Sequence, residues 1–159
     1  FRRILDETFS RDLASTATAR AENVRQGHER FSAVHVLDDD PDSYWATDDG
    51  VRESALLLEF QEPLAFDRLL LQEPIHLGQR IAAFSVQVER EGGWRSLIQG
   101  TTVGHKRLLR FPEVTSRGVR IRIEASLAPP ALSRVGVFKA SPKEGTRFPG
   151  SQPQAVMDP

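Results

Sequence analysis

Val119-Arg120-Ile121-Arg122-Ile123 alternates apolar and charged residues without a break, and it constrains the fold of this chain more than any other stretch. Successive side chains of a strand point to opposite faces, so this period describes a strand buried on one face and wet on the other. The same period recurs upstream. Leu56, Leu58 and Phe60 share one face, and Phe84, Val86 and Val88 oppose Ser85, Gln87 and Glu89. Phe66–Leu71 is expected as a separate strand after a turn at Glu62-Pro63, and Glu91-Gly92-Gly93 as a hairpin turn leading into Trp94, Leu97 and Ile98. Leu108–Phe111 and the run Val135, Val137, Phe138 complete the pattern. About eight short strands with turn signals between them predict an all-β chain folded as a jelly-roll β-sandwich.

The flanks read differently. Phe1, Ile4, Leu5, Phe9 and Leu13 recur at helical spacing against Arg2, Arg3, Asp6, Glu7 and Asp12, so Phe1–Ala14 is expected to be an amphipathic helix. Its apolar stripe calls for a covering surface. Small and polar residues from Ala14 to Gly27 predict a linker passing into the first strand. Phe31, Val34 and Leu37 suit a short helical turn packed on the core, with His35 as a hydrogen-bonded structural residue. From Ser141 onward no apolar periodicity remains, and residues 141–159 read as a disordered tail. The expected organisation is residues 1–20 as helix and linker, 21–140 as the sandwich, then the tail.

A length of 159 residues suits one domain, and a net charge of −1 gives no global field to recruit nucleic acid or an anionic membrane. The chain has no Cys, which removes disulfides and thiolate chemistry without fixing a compartment. No run approaches the roughly 20 apolar residues of a membrane helix. The start carries no signal-peptide pattern, and the absence of an initial Met suits a piece of a longer protein. Nothing matches a nucleophile elbow, a zinc-binding helix or a glycine-rich phosphate loop, and no carboxylate pair is set for glycoside cleavage. A non-catalytic module is the expectation.

Three loops could carry function. Asp38-Asp39-Asp40-Pro41-Asp42-Ser43-Tyr44-Trp45 is a tight acidic turn followed by an aromatic pair, with Trp45 expected inside as an anchor. Carboxylates and carbonyls of such a turn are ligands that calcium prefers. Glu73-Pro74-Ile75-His76-Leu77-Gly78-Gln79-Arg80 offers planar multi-donor groups, and Gly104-His105-Lys106-Arg107 offers three potential cations. In a sandwich, loops gather at two ends. Glu73, His76, Gln79, Arg80, His105, Lys106 and Arg107 are therefore candidates for one sugar-binding or domain-docking patch. The alternative is that Arg80 and Arg107 form salt bridges, with Glu73 or with acids of a neighbouring domain. Neither loop contains the aromatic residue that usually faces a sugar ring.

The acidic turn resembles the signature of discoidin-like domains (coagulation factor 5/8 type C, galactose-binding-like). Leu71–Arg80, Gly100–Pro112 and Val119–Ile123 extend the resemblance to the C-terminal part of bacterial α-L-fucosidases, over about residues 1–139. The resemblance implies an ancillary domain beside an upstream catalytic barrel of a retaining exo-glycosidase that removes terminal fucose from glycans. Two roles follow from it: docking on and stabilising that barrel, or binding galactose- or fucose-containing glycans. It also implies a structural calcium held by the Asp38 side chain and the carbonyls of Asp40 and Ser43, completed by a Glu before the last strand. Arg134 stands at that Glu position. A guanidinium repels calcium and could pair with Asp38 instead, so no cofactor is expected.

Overall fold

The computed structural model describes residues 12–140. The expected helix lies largely outside them, as does the expected tail. Where the helix call reaches the described residues, Leu13–Thr16 instead form a 3₁₀ turn capped by the Asp12 carboxylate, which accepts from the Ala14 amide.

The described residues form eight strands: β1 (Thr18–Ala21), β2 (Trp45–Ala46), β3 (Ser54–Gln72), β4 (Ile81–Arg90), β5 (Gly93–Gly100), β6 (Arg107–Ser126), β7 (Ala131–Leu132) and β8 (Arg134–Phe138). All pairings are antiparallel. The sheet runs β1-β3-β6-β4-β5, with β8 joined to the second half of β3, and β2 pairs with β7 separately. This is the β-sandwich that the alternation predicts. The stretch read as linker contributes β1, whose residues pair with Leu56–Glu59 of β3.

Two expectations fail in an informative way. The strands expected on either side of Glu62-Pro63 are one continuous β3, and those on either side of Pro112 are one continuous β6. The ladder between β3 and β6 shifts register between Glu59 and Leu64 and again between Phe66 and Arg68. Pro63 falls in the first irregularity, and Pro112 lies opposite the second, between the paired Arg110 and Val114. A proline cannot donate to a ladder and is tolerated where pairing is already interrupted. Each bulge bends the ribbon instead of ending it. It also exchanges the buried face: Leu56, Leu58 and Phe60 point inward before the bulges, and Leu69 and Leu71 after them.

Trp45, Phe84, Val86, Ile121 and Ile123 are all fully buried in one cluster, as expected. The Trp45 indole N–H donates to the Asn23 carbonyl at 2.9 Å, which satisfies its one polar atom. Ala33–Leu37 is the helical turn expected there, but Val36 is its core residue and Val34 is 52% exposed. The turn is 3₁₀, with three residues per turn, so Ala33 and Val36 share the inner face. Glu91 and Gly92 both adopt positive φ (51° and 82°) between the paired Arg90 and Gly93, which is the backbone a two-residue hairpin turn needs.

Candidate functional site

The β3–β4 loop, the loop before β6 and the start of β8 lie together at one end of the sandwich, because Gln72 pairs with Arg134 and Leu71 with Arg107. Glu73 joins two of them. Its carboxylate is buried and accepts from the Arg80 amide (2.7 Å), the Ile81 amide (3.0 Å) and the Gly104 amide (2.8 Å). Its own amide donates to the Gly104 carbonyl at 3.1 Å. The two predicted loops therefore do lie together. Glu73 is their internal pin, with its carboxylate turned inward from any ligand.

The expected basic patch is not assembled as free donors. The Arg80 guanidinium donates to the Pro129 carbonyl at 2.8 Å, and Glu73 holds only the Arg80 backbone, so the expected Arg80–Glu73 salt bridge is absent. Arg107 donates to the Thr102 carbonyl and lies over the Phe84 ring at 5.9 Å. His76, Gln79, His105 and Lys106 are exposed.

The missing aromatic comes from elsewhere in the chain. Tyr44 packs edge-on against His76 (5.9 Å between ring centroids) and lies 5.7 Å from Phe31. A pocket of about 240 Å³ opens beside it, walled by Arg25, Phe31, Tyr44, Thr47, Asp49 and Arg80. Stitching between two loops shapes that wall. Asp48 accepts from the Gln26 amide (2.6 Å) and the Asn23 amide group (3.2 Å), which lowers its carboxyl pKa, with the Gln26 bond as the larger cause. Arg25 donates to the Thr47 carbonyl and pairs with Asp49 at 2.9 Å. One signal for Tyr44 was present in the sequence. Neighbours in a strand face opposite ways, so an inward Trp45 sends Tyr44 outward.

The acidic turn is closed on itself. Ser43 Oγ donates to the Asp38 carboxylate (2.7 and 2.8 Å to its two oxygens) and also lies 3.2 Å from the Asp40 carbonyl. The Asp40 amide donates to Asp38 at 3.0 Å. His35 has Asp38 2.9 Å from Nδ1 and the Glu29 carbonyl 2.9 Å from Nε2. Both partners are acceptors, so the doubly protonated imidazolium satisfies both contacts and a neutral ring only one. The bond to Asp38 raises the His35 pKa above its ordinary 6.5, against the opposing effect of burial. Burial pushes the Asp38 carboxyl up, but bonds from His35, Ser43 and the Asp40 amide outweigh it and hold the pKa below 3.8. His35 is thus the structural residue expected.

Arg134 does not reach Asp38. It pairs with Asp12 at 3.2 Å and with Asp39 at 3.6 Å, because Asp38 is already filled by Ser43 and His35. The donor set does not fit a calcium ion as arranged. The Asp38 oxygens are bonded to a hydroxyl and an imidazole, and a guanidinium stands where the completing carboxylate would be.

Residues 16–135 match the F5/8 type C domain family, and the chain belongs to it. Within that family it is homologous to the C-terminal part of α-L-fucosidases. It is 35% identical over 142 residues to alpha-L-fucosidase 1 of Arabidopsis thaliana, a match covering 87% of this chain and 28% of the relative. The Ruminococcus gnavus GH29 fucosidase solved in complex with fucose superposes with a TM-score of 0.81 at 31% identity, over 88% of this chain and 29% of that one. Such relatives come from plants and bacteria alike, and this chain spans under a third of their length. A family 32 carbohydrate-binding module of Clostridium perfringens, solved with galactose, shares the fold alone: TM-score 0.70 and 12% identity over 79% of this chain and 96% of the module.

Proposed function

We propose that this chain is a non-catalytic ancillary domain of an α-L-fucosidase and that it docks on the upstream catalytic barrel through the braced loop end. The observation that carries this reading is the state of two apolar side chains. Ile75 and Leu127 are 65% and 79% exposed, yet their loops are held firmly. The Leu127 amide donates to the Arg80 carbonyl at 2.8 Å, and Glu73 and the Arg80 guanidinium brace the rest. Rigid loops that present apolar tips lose little entropy on meeting a protein surface. Arg80 and Arg107 each give one bond to a carbonyl of the domain itself, which holds both side chains against the loops. In the full-length enzyme, Ile75→Asp combined with Leu127→Asp should lower the melting temperature and expose the domain junction to protease. The same pair in the 159-residue chain alone should leave its melting temperature unchanged. A full-length enzyme indifferent to both substitutions overturns docking at this end.

Tyr44 favours a second reading. An aromatic ring beside Arg25, Asp49 and Arg80 in a pocket of about 240 Å³ suits a single pyranose. A glycan array probed with the chain and its Tyr44→Ala variant tests it. Tyr44-dependent retention of galactose- or fucose-terminated glycans would establish this role, and equal signals from both proteins would remove it.

A further inference from the structure

The pocket beside Tyr44 is set into the surface proposed to dock. Leu77 and Pro129 form part of its wall, and each lies two residues along the chain from an exposed apolar tip, Ile75 and Leu127. Arg80 joins the two features: its carbonyl accepts the Leu127 amide, and the same residue walls the pocket. The pocket therefore opens beside both apolar points.

Its wall is rich in donors that the domain itself does not use. Thr47 is fully buried there, and its hydroxyl has no hydrogen-bond partner among the described residues. A buried polar group left unpaired is costly, and an incoming acceptor would satisfy it. Arg80 gives one N–H to the Pro129 carbonyl, while Arg25 gives one to the Thr47 carbonyl and meets Asp49 with another nitrogen. The remaining N–H groups of both guanidinium forks have no acceptor among the described residues. Asp49 is the one carboxylate of this wall, and its side chain is 85% exposed. Its neighbour Asp48 is bonded instead to the Asn23 and Gln26 amides. Strain holds Arg25 in place: Gln26 adopts φ 56°, in the left-handed region, with its amide bonded to Asp48. Side chains rarely tolerate that backbone, and here it fixes the direction from which Arg25 enters the pocket.

We infer that this pocket is a socket for a carboxylate side chain, an aspartate or glutamate, presented by the catalytic domain. The inference rests on the docking reading and names the chemistry of the partner at that contact. Guanidinium and carboxylate pair through charge-assisted bonds that can be bidentate, and the Thr47 hydroxyl adds a neutral donor. Two guanidinium charges against one solvent-facing carboxylate leave the wall net positive, so an anion gains there what a neutral ligand does not. Apolar contacts made by Ile75 and Leu127 would keep water from the pair, and a charge pair strengthens as its surroundings dry. The apolar tips thus supply contact area, and the socket supplies register.

Sodium acetate is the probe, titrated into the ¹⁵N-labelled 159-residue chain at ionic strength held constant with sodium chloride. Acetate should shift the Thr47 amide and the Arg25 and Arg80 Nε–H resonances saturably, and acetamide at the same concentrations should not. Arg80→Gln should weaken acetate binding about tenfold or more through loss of charge-assisted bonds. In the full-length enzyme, Arg25→Gln combined with Arg80→Gln should open the domain junction to protease, whereas the same pair in the isolated chain should leave its protease resistance unchanged. The socket is overturned, with docking intact, if acetate moves none of these resonances while Ile75→Asp with Leu127→Asp still loosens the full-length enzyme. It is overturned in favour of a glycan if L-fucose or D-galactose moves the same resonances at lower concentration than acetate does. A full-length enzyme indifferent to the Ile75 and Leu127 substitutions removes docking and the socket together.

Discussion

Asp12 and Arg134 meet at 3.2 Å across 122 residues of sequence, and the same Asp12 carboxylate accepts the Val137 amide at 3.0 Å. The first described residue is thereby fastened to the last strand, and Arg134 extends the link to Asp39 of the acidic turn. One guanidinium thus ties the start of the described residues and the acidic turn to the last strand.

This arrangement carries a prediction about calcium. Added calcium should leave the melting temperature unchanged, and a chelator should not lower it. A calcium-dependent rise would mean that Asp38, Asp40 and Ser43 rearrange into an ion shell without the missing Glu, and it would restore the metal.

Glu73→Ala should be among the most damaging single substitutions in the domain. It leaves three backbone amides without their acceptor, and an unsatisfied buried donor costs about 1–3 kcal/mol. Urea unfolding should register a loss of about 3 kcal/mol or more. Glu73→Gln should cost less, because the amide oxygen still accepts. A loss under about 0.5 kcal/mol for the Ala variant, the range of ordinary surface positions, would contradict the pinning role.

Ile121 is fully buried between β3 and β4, opposite Leu56 and Val86. Ile121→Ala should create a cavity and lower stability by about 2–5 kcal/mol in equilibrium unfolding. Arg122→Ala, on the other face of the same strand, should have a far smaller effect, and equal losses would contradict the facing described here.

The pair His35–Asp38 sets a pH dependence. The raised His35 pKa adds stability that is complete below 6.5 and fades as pH rises through the folded value. The lowered Asp38 pKa adds stability that is complete above 3.8 and fades as pH falls through its folded value. Their joint contribution is therefore largest between 3.8 and 6.5. His35→Gln should lower the melting temperature more at about pH 5.5 than at about pH 8.5. A difference that is flat across this range, or larger at the alkaline end, would show that the ring is neutral in the folded state.

The alternation around Ile121 and Phe84 was enough to define the sandwich and its core, because side-chain period and burial are local consequences of strand geometry. The acidic turn and the two polar loops were also visible as loops, from their turn residues alone. What each loop residue does was decided only by the tertiary structure. Glu73 looked like a surface ligand and is a buried pin, since its own loop turns back to bring it the Arg80 amide and the β5–β6 loop folds against it to bring the Gly104 amide. Tyr44 belongs to the acidic turn in sequence and to the Arg80 pocket in space. The long β3 and β6 were read as four strands because proline suggests a turn, whereas a paired neighbour can carry a strand through a bulge. Thr18, Glu59, Gly118, Glu89 and Trp94 come from five of the sheet's six strands, so only the register between them could bring those residues together.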